Sequence, residues 1–157
     1  TGRGNVSNIS AEFNVYTDPE AAHIVFSEWP FFELADWEAT MDHQFTFAAL
    51  DGWLESGSPS AALYGRICGQ VRKFVAESEP DDPKMRAADA LAMALALEPD
   101  SVLESAERHV AVELAPGMTR GMTVVDWNQR TGQPANARIL QRFDQDRFEA
   151  LIRQGLS

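Results

Sequence analysis

Glu12 and Asn14 stand two residues apart near the start of the chain, in the run Gly4-Asn5-Val6-Ser7-Asn8-Ile9-Ser10-Ala11-Glu12-Phe13-Asn14. In an extended segment that spacing turns both polar side chains to one side and Phe13 to the other. A carboxylate accepts hydrogen bonds and a carboxamide both donates and accepts them, which equips the pair to grip the hydroxyls of a small polyol. A second reading is local, because Asn and Glu also brace their own loop by bonding neighbouring backbone amides. Directly after the run, Asp18-Pro19-Glu20-Ala21-Ala22 reads as a helix start. Asp at the cap accepts orphan amide hydrogens, and Pro in the first turn loses no bond that the helix would have made.

Two further stretches complete an ordered pattern. Ala88-Asp89-Ala90-Leu91-Ala92-Met93-Ala94 is followed by Glu98-Pro99, and Leu114 to Asp126 contains Thr119-Arg120-Gly121-Met122-Thr123-Val124-Val125-Asp126. Taken with the first run and in this order, they resemble the inosine/uridine-preferring nucleoside hydrolases, which cleave the N-glycosidic bond of ribonucleosides. The resemblance implies an α/β fold with an open, mainly parallel sheet flanked by helices. It implies a ribonucleoside substrate, with Asn5, Glu12 and Asn14 on the ribose hydroxyls and Phe13 lining the pocket. This chain carries one residue more between Asn5 and Glu12 than the common family form. The resemblance also implies a calcium ion that orients and acidifies a water, with Asp89 among its ligands. The plain alternative for Asp89 is a helix-start acid, worth roughly 0.3 to 1 kcal/mol against the helix dipole.

Two departures from the family pattern shape what is expected. Many members place a histidine before the metal-ligand aspartate as the acid for the leaving base, and here that position is Ala88, which cannot donate a proton. Members also open on an aspartate-rich strand end that supplies most calcium ligands, and no such cluster precedes Thr1. Residues 1 to 157 therefore read as the C-terminal portion of a single domain whose N-terminal half is a companion segment or chain. Activity is expected only of the completed domain. The rivals are a ribose-binding relative with little or no turnover and an inactive fragment.

Composition narrows the partners. A net charge of -11 argues against binding nucleic acid, which requires clustered Lys and Arg, but leaves an uncharged nucleoside open. No apolar run approaches the roughly 20 residues of a membrane span. One cysteine, Cys68, provides no disulfide framework and suits a cytoplasmic compartment. A homo-oligomer is compatible with all of this. Asn5-Val6-Ser7 and Asn8-Ile9-Ser10 spell glycosylation sequons, but such tripeptides arise readily by chance.

The elements that must position these residues follow from periodicity and punctuation. A helix is expected from Asp18 to about Ser27, then a strand over Phe31 to Trp37, with Asp36, Trp37, Glu38 and His43 near its carboxyl end, where ligands of open α/β sheets sit. There His43 and Trp37 are candidates to reach the base, with packing as the competing role. His23 and His109 read as packed or solvated. Helices are expected over Phe45 to Ser56 and Ser58 to Glu79, the second with a core stripe of Leu63, Ile67, Val71 and Phe74. Glu77 to Lys84 reads as a polar, mobile connection. A helix over Arg86 to Leu97 should carry Asp89 in its first turn. Strands are expected over His109 to Leu114, Met122 to Trp127 and Asn136 to Phe143, with a turn at Thr131-Gly132, before Asp144 caps a last helix through Arg153.

Overall fold

In the computed structural model the described residues are 9–157. In chain order they form α1 (Phe13–Thr17), α2 (Pro19–Glu28), β1 (Phe32–Leu34), α3 (Trp37–Asp42), β2 (Phe45–Thr46), α4 (Phe47–Leu54), α5 (Pro59–Ser78) and β3 (Lys84–Met85). Then follow α6 (Ala88–Leu97), a short 3-10 turn, β4 (Val102–Arg108), β5 (Val110–Val112), β6 (Thr123–Val125), β7 (Ala137–Phe143) and α7 (Gln145–Gly155). The chain divides into two compact units, residues up to 39 with 102–142, and residues 40–101 with 143–157. Among the described residues no helix is long and apolar enough to cross a membrane.

The first unit holds a three-stranded sheet in the order β1-β7-β4. β1 and β7 run parallel, with Phe32 opposite Ala137, Glu33 opposite Arg138 and Leu34 opposite Ile139. On one face Arg138 reaches Glu33 at 2.9 Å and Glu107 at 3.3 Å, a row of alternating charge across all three strands. The opposite pleat is apolar: Ala137 and Ile139 form a buried cluster with Val110 of β5, and Phe32 and Leu34 of β1, Phe26 of α2 and Val125 of β6 pack on it. β5 and β6 make an antiparallel ribbon, Val110 to Val112 against Val125 to Thr123.

Asn136 ties these pieces together. Its Oδ1 accepts from Val110 N–H at 2.7 Å, and its Nδ2 donates to Phe26 O at 2.8 Å and Val110 O at 2.9 Å. One carboxamide thus fixes the end of α2, the start of β5 and the entry to β7.

The second unit is mainly helical. Leu50, Met85, Leu91, Phe143 and Phe148 are fully buried, and the Phe45 ring lies 5.0 Å from Trp53 and 6.5 Å from Phe148. β2 and β3 pair antiparallel through Phe45–Met85 and Thr46–Lys84, so the helix expected from Phe45 begins two residues later and Lys84 ends in a strand. Ser58 and Asp144 cap α5 and α7 as their spacing predicts, accepting from Ala61 N at 3.0 Å and Arg147 N at 2.9 Å.

Other elements depart from the pattern their residues suggest. The strand over Phe31 to Trp37 is only Phe32–Leu34. Asp36 accepts from Ala39 N at 2.8 Å and turns the chain into α3, a local cap overriding the apolar run. β4, with its Glu104, Glu107 and Arg108, carries no alternating pattern and was not expected as a strand; its middle is exposed. The α5 stripe is not core: Leu63, Ile67, Val71 and Phe74 are 51%, 62%, 47% and 69% exposed. The helix instead buries Ala61, Cys68 and Val75. Arg72 on that side binds Asp51 of α4 at 2.5 and 3.0 Å and lies 4.8 Å over the Phe47 ring. Small residues beside a guanidinium clamp allow close helix contact, and periodicity alone does not choose between two apolar stripes.

Candidate functional site

Glu12, Phe13 and Asn14 share a single turn in the first unit, and that turn is helical rather than extended. Glu12 itself keeps an extended backbone as the N-cap of α1, and its Oε2 accepts from Asn14 N at 2.8 Å and Val15 N at 3.3 Å. Short Asp, Asn, Ser and Thr usually fill this position; the longer Glu arm does the same by folding back over the turn. The local bracing weighed from sequence is therefore present. It also aims the turn, because the cap fixes the backbone that displays Asn14 and Phe13. Asn14 is exposed and Phe13 is 58% exposed, so neither is spent on the interior. Asn5 lies outside the described residues.

The turn is held from beneath and behind. Ala11 is fully buried, and Ser10 Oγ donates to Met118 O at 3.3 Å. Asp18 caps α2 by accepting from Ala21 N at 2.9 Å. Arg120 donates to Leu114 O and to the Glu20 carboxylate, and that hydrogen bond holds the Glu20 carboxyl below its ordinary range.

Asp89 belongs to the second unit and stands in the first turn of α6, exposed, as the sequence suggests. Ala87 at the cap makes no side-chain hydrogen bond, so Asp89 supplies the negative charge of this helix start. Ca²⁺ takes six to eight oxygens. Among the described residues no group of three or more His, Cys, Asp or Glu could hold a metal ion. Asp89 therefore stands outside any such group among the described residues.

The remaining candidates resolve differently. Asp36 is spent on its cap to α3, and burial pushes its carboxyl above the ordinary value, opposed by the Ala39 amide. Trp37 and Glu38 open α3. His43 is 4% exposed. Its Nε2 lies 2.9 Å from Phe143 N and 3.1 Å from Phe143 O, so it is a histidine packed against the backbone at the end of β7. His109 Nδ1 lies 3.2 Å from Pro134 O; a carbonyl can only accept, so that nitrogen carries the proton.

Asp126, read from sequence only as the end of the third matched stretch, has a carboxylate that accepts from Arg130 N, Thr131 N and Thr131 Oγ1 at 2.7 to 2.9 Å. Those bonds hold its carboxyl down to about 2. The signal available was an Asp five residues ahead of Thr131-Gly132, a loop bracing itself. A groove of about 420 Å³ in the first unit is lined by His23, Trp29, Pro30, His109, Pro134 and Asn136, among others. Pro30 and Asn136 precede β1 and β7, so it opens at the amino ends of these parallel strands. Ligands of such sheets bind at the other end, and Glu12, Phe13 and Asn14 are not in its lining.

With this geometry in hand, known proteins give a consistent match. The model of the family described as inosine-uridine preferring nucleoside hydrolase matches residues 1–150. The pyrimidine-specific ribonucleoside hydrolase RihA of Salmonella paratyphi B is 29% identical over 147 residues, 94% of this chain and 47% of that protein. Among solved structures, an inosine-guanosine nucleoside hydrolase superposes with a TM-score of 0.86 at 27% identity, over 99% of this chain and 48% of its own. A purine-preferring ribonucleoside hydrolase from Gardnerella vaginalis gives 0.84 at 22% identity, over 99% and 48%. The chain spans about half the length of the curated relatives it matches.

Proposed function

Because the chain belongs to the inosine-uridine preferring nucleoside hydrolase family, we propose that, completed by an N-terminal half, it hydrolyses the N-glycosidic bond of ribonucleosides to ribose and free base. The observation that carries this reading is the Glu12–Asn14 turn, a half-buried carboxylate and an exposed carboxamide on one helical turn within the matched residues. Glu12 and Asn14 grip the ribose hydroxyls, Phe13 lines the pocket, and Asn5 supplies a third polar contact. The completed enzyme works in the cytoplasm, where the buried free thiol of Cys68 stays reduced.

Glycosidic cleavage builds positive charge on the sugar, and a carboxylate fixed beside the ribose stabilises that charge more than the ground state. Its cap bonds to Asn14 and Val15 hold the Glu12 carboxylate in one position. A calcium ion, when bound, supplies an activated water. Asp89 would be one of its ligands, and the companion half would provide the rest. Ala88 cannot protonate the leaving base. General acid catalysis is worth typically 10²- to 10⁴-fold, so turnover is slower than in a relative with a histidine there.

A second reading, a relative that binds ribose without turnover, is favoured by the same Ala88. Glu12→Gln and Asn14→Ala in the completed protein test the first reading. Gln keeps an acceptor for the cap and removes the charge, so stability should hold while kcat/KM falls. A hydrogen bond to a charged group is worth roughly 1.5 to 3 kcal/mol, about 10- to 150-fold in kcat/KM. Intact turnover by both variants would refute the ribose assignment. Calcium-dependent ribose affinity without base release would favour the second reading.

A further inference from the structure

We propose that the β5–β6 connection, residues 113–122, is the platform that positions the Glu12–Asn14 turn, with Gly121 as the positioning residue that lets the two seat together. This rests on the ribose reading of Glu12 and Asn14 given above. Gly121 is buried and has φ +80°. A Cβ at this position would meet Tyr16 Cα at 3.3 Å, Ala11 Cβ at 3.4 Å and Pro19 Cγ at 3.6 Å. Those three residues frame α1 from before its cap to the start of α2. The first contact is backbone, so a methyl group here moves the helix itself and not a flexible side-chain tip.

The rest of the connection fastens the same turn. Ser10 Oγ bonds Met118 O, and Arg120 joins Leu114 O to Glu20 on α2. The connection is also folded on itself, with Gly121 N–H donating to Glu113 O at 2.8 Å and Glu113 N–H to Met122 O at 2.9 Å. A displaced platform therefore displaces the displayed groups. Catalytic groups must be held to about 0.5 Å, and a misplacement of about 1 Å can cost 10²-fold.

Left-handed strain and contact with α1 can be separated. Gly132 has φ +69° with nothing within 4 Å of its would-be Cβ, so Gly132→Ala carries the backbone strain without the collision. In the completed enzyme, at a temperature well below both melting points, Gly121→Ala should lower kcat/KM for inosine or uridine by about 10-fold or more, with kcat falling. Gly132→Ala should melt lower yet keep kcat and KM per folded molecule within about twofold. If Gly121→Ala does not fold, Arg120→Lys is the second variant: it keeps the charge, loses the two-sided fork, and should lower kcat/KM by about threefold or more. Unchanged kcat/KM per folded molecule in Gly121→Ala, or in Arg120→Lys where that variant stands in, would overturn the platform. An equal loss in Gly132→Ala would do so too. An active parent with an unaffected variant leaves the ribose reading in place, whereas a parent inactive on every nucleoside removes both.

Discussion

Asn136→Ala should be among the most destabilising substitutions of a polar residue in the first unit. The carboxamide makes three hydrogen bonds, at 2.7, 2.8 and 2.9 Å, to Val110 N, Phe26 O and Val110 O. At a net worth of about 1 kcal/mol each, the loss is about 3 kcal/mol, and an amide left buried and unpaired raises it. Val110, whose two backbone groups take two of these bonds, is 1% exposed, so water does not readily replace them. Against a total stability of roughly 5 to 15 kcal/mol, this is a large fraction. Urea unfolding of the completed protein is the assay: with m of roughly 1 to 3 kcal/mol/M, the midpoint should fall by about 1 M or more at unchanged m. Asn136→Asp sharpens the test. It keeps the acceptor for Val110 N–H but sets a carboxylate oxygen against two carbonyl oxygens, so it should cost at least as much as Ala. A shift in Asn136→Ala below about 0.5 kcal/mol, the range of ordinary surface changes, would refute the clamp.

Asp126 makes the 126–132 loop pH-dependent: its carboxyl is depressed to about 2, so its contribution is fully present above the ordinary Asp value near 3.9 and is lost as pH falls through about 2. A side-chain NMR titration should place its midpoint near 2, and Asp126→Asn should abolish that acid step. His43→Leu should cost about 1 to 3 kcal/mol by leaving the Phe143 N–H unpaired; His43→Gln should recover part of it, with kcat per folded molecule unchanged in both, and a selective loss of kcat would restore a role on the base. Asp89→Ala in the completed protein should weaken calcium binding severely, read by calorimetry, since one anionic oxygen ligand is lost. Unchanged affinity would make Asp89 only a helix-start acid.

Helix starts were legible because their chemistry is local. Asp18, Ser58 and Asp144 each cap where their spacing says, through their own side chains. Asp89 likewise lands in a first turn because Ala, Leu and Met favour the helix that follows. The Glu12–Asn14 pair was found by residue type, but its backbone was misjudged: the sequence spacing suits a strand, and Glu12's long arm closes a helical turn instead. What decides between partners was not legible. The α5 stripe has flawless helical spacing and yet faces outward, since nothing in the periodicity says that Arg72, Asp51 and Phe47 will draw the helix onto its other side. β4 escaped notice because its charged residues erase alternation, and its place beside β7 is set by long-range pairing. Gly121 gave no sign of its proximity to α1, some hundred residues earlier in the chain. His43 looked available only because burial is invisible in a linear sequence.

Steady-state release of free ribose from inosine and uridine by the completed protein, before and after calcium is removed by a chelator and then restored, tests the calcium-dependent hydrolase reading. Slow but measurable ribose release from at least one of the two is expected, lost on chelation and regained with calcium, and reduced by about 10-fold or more in Glu12→Gln at unchanged melting temperature. Release of no ribose from either nucleoside by a folded, calcium-loaded protein would contradict it.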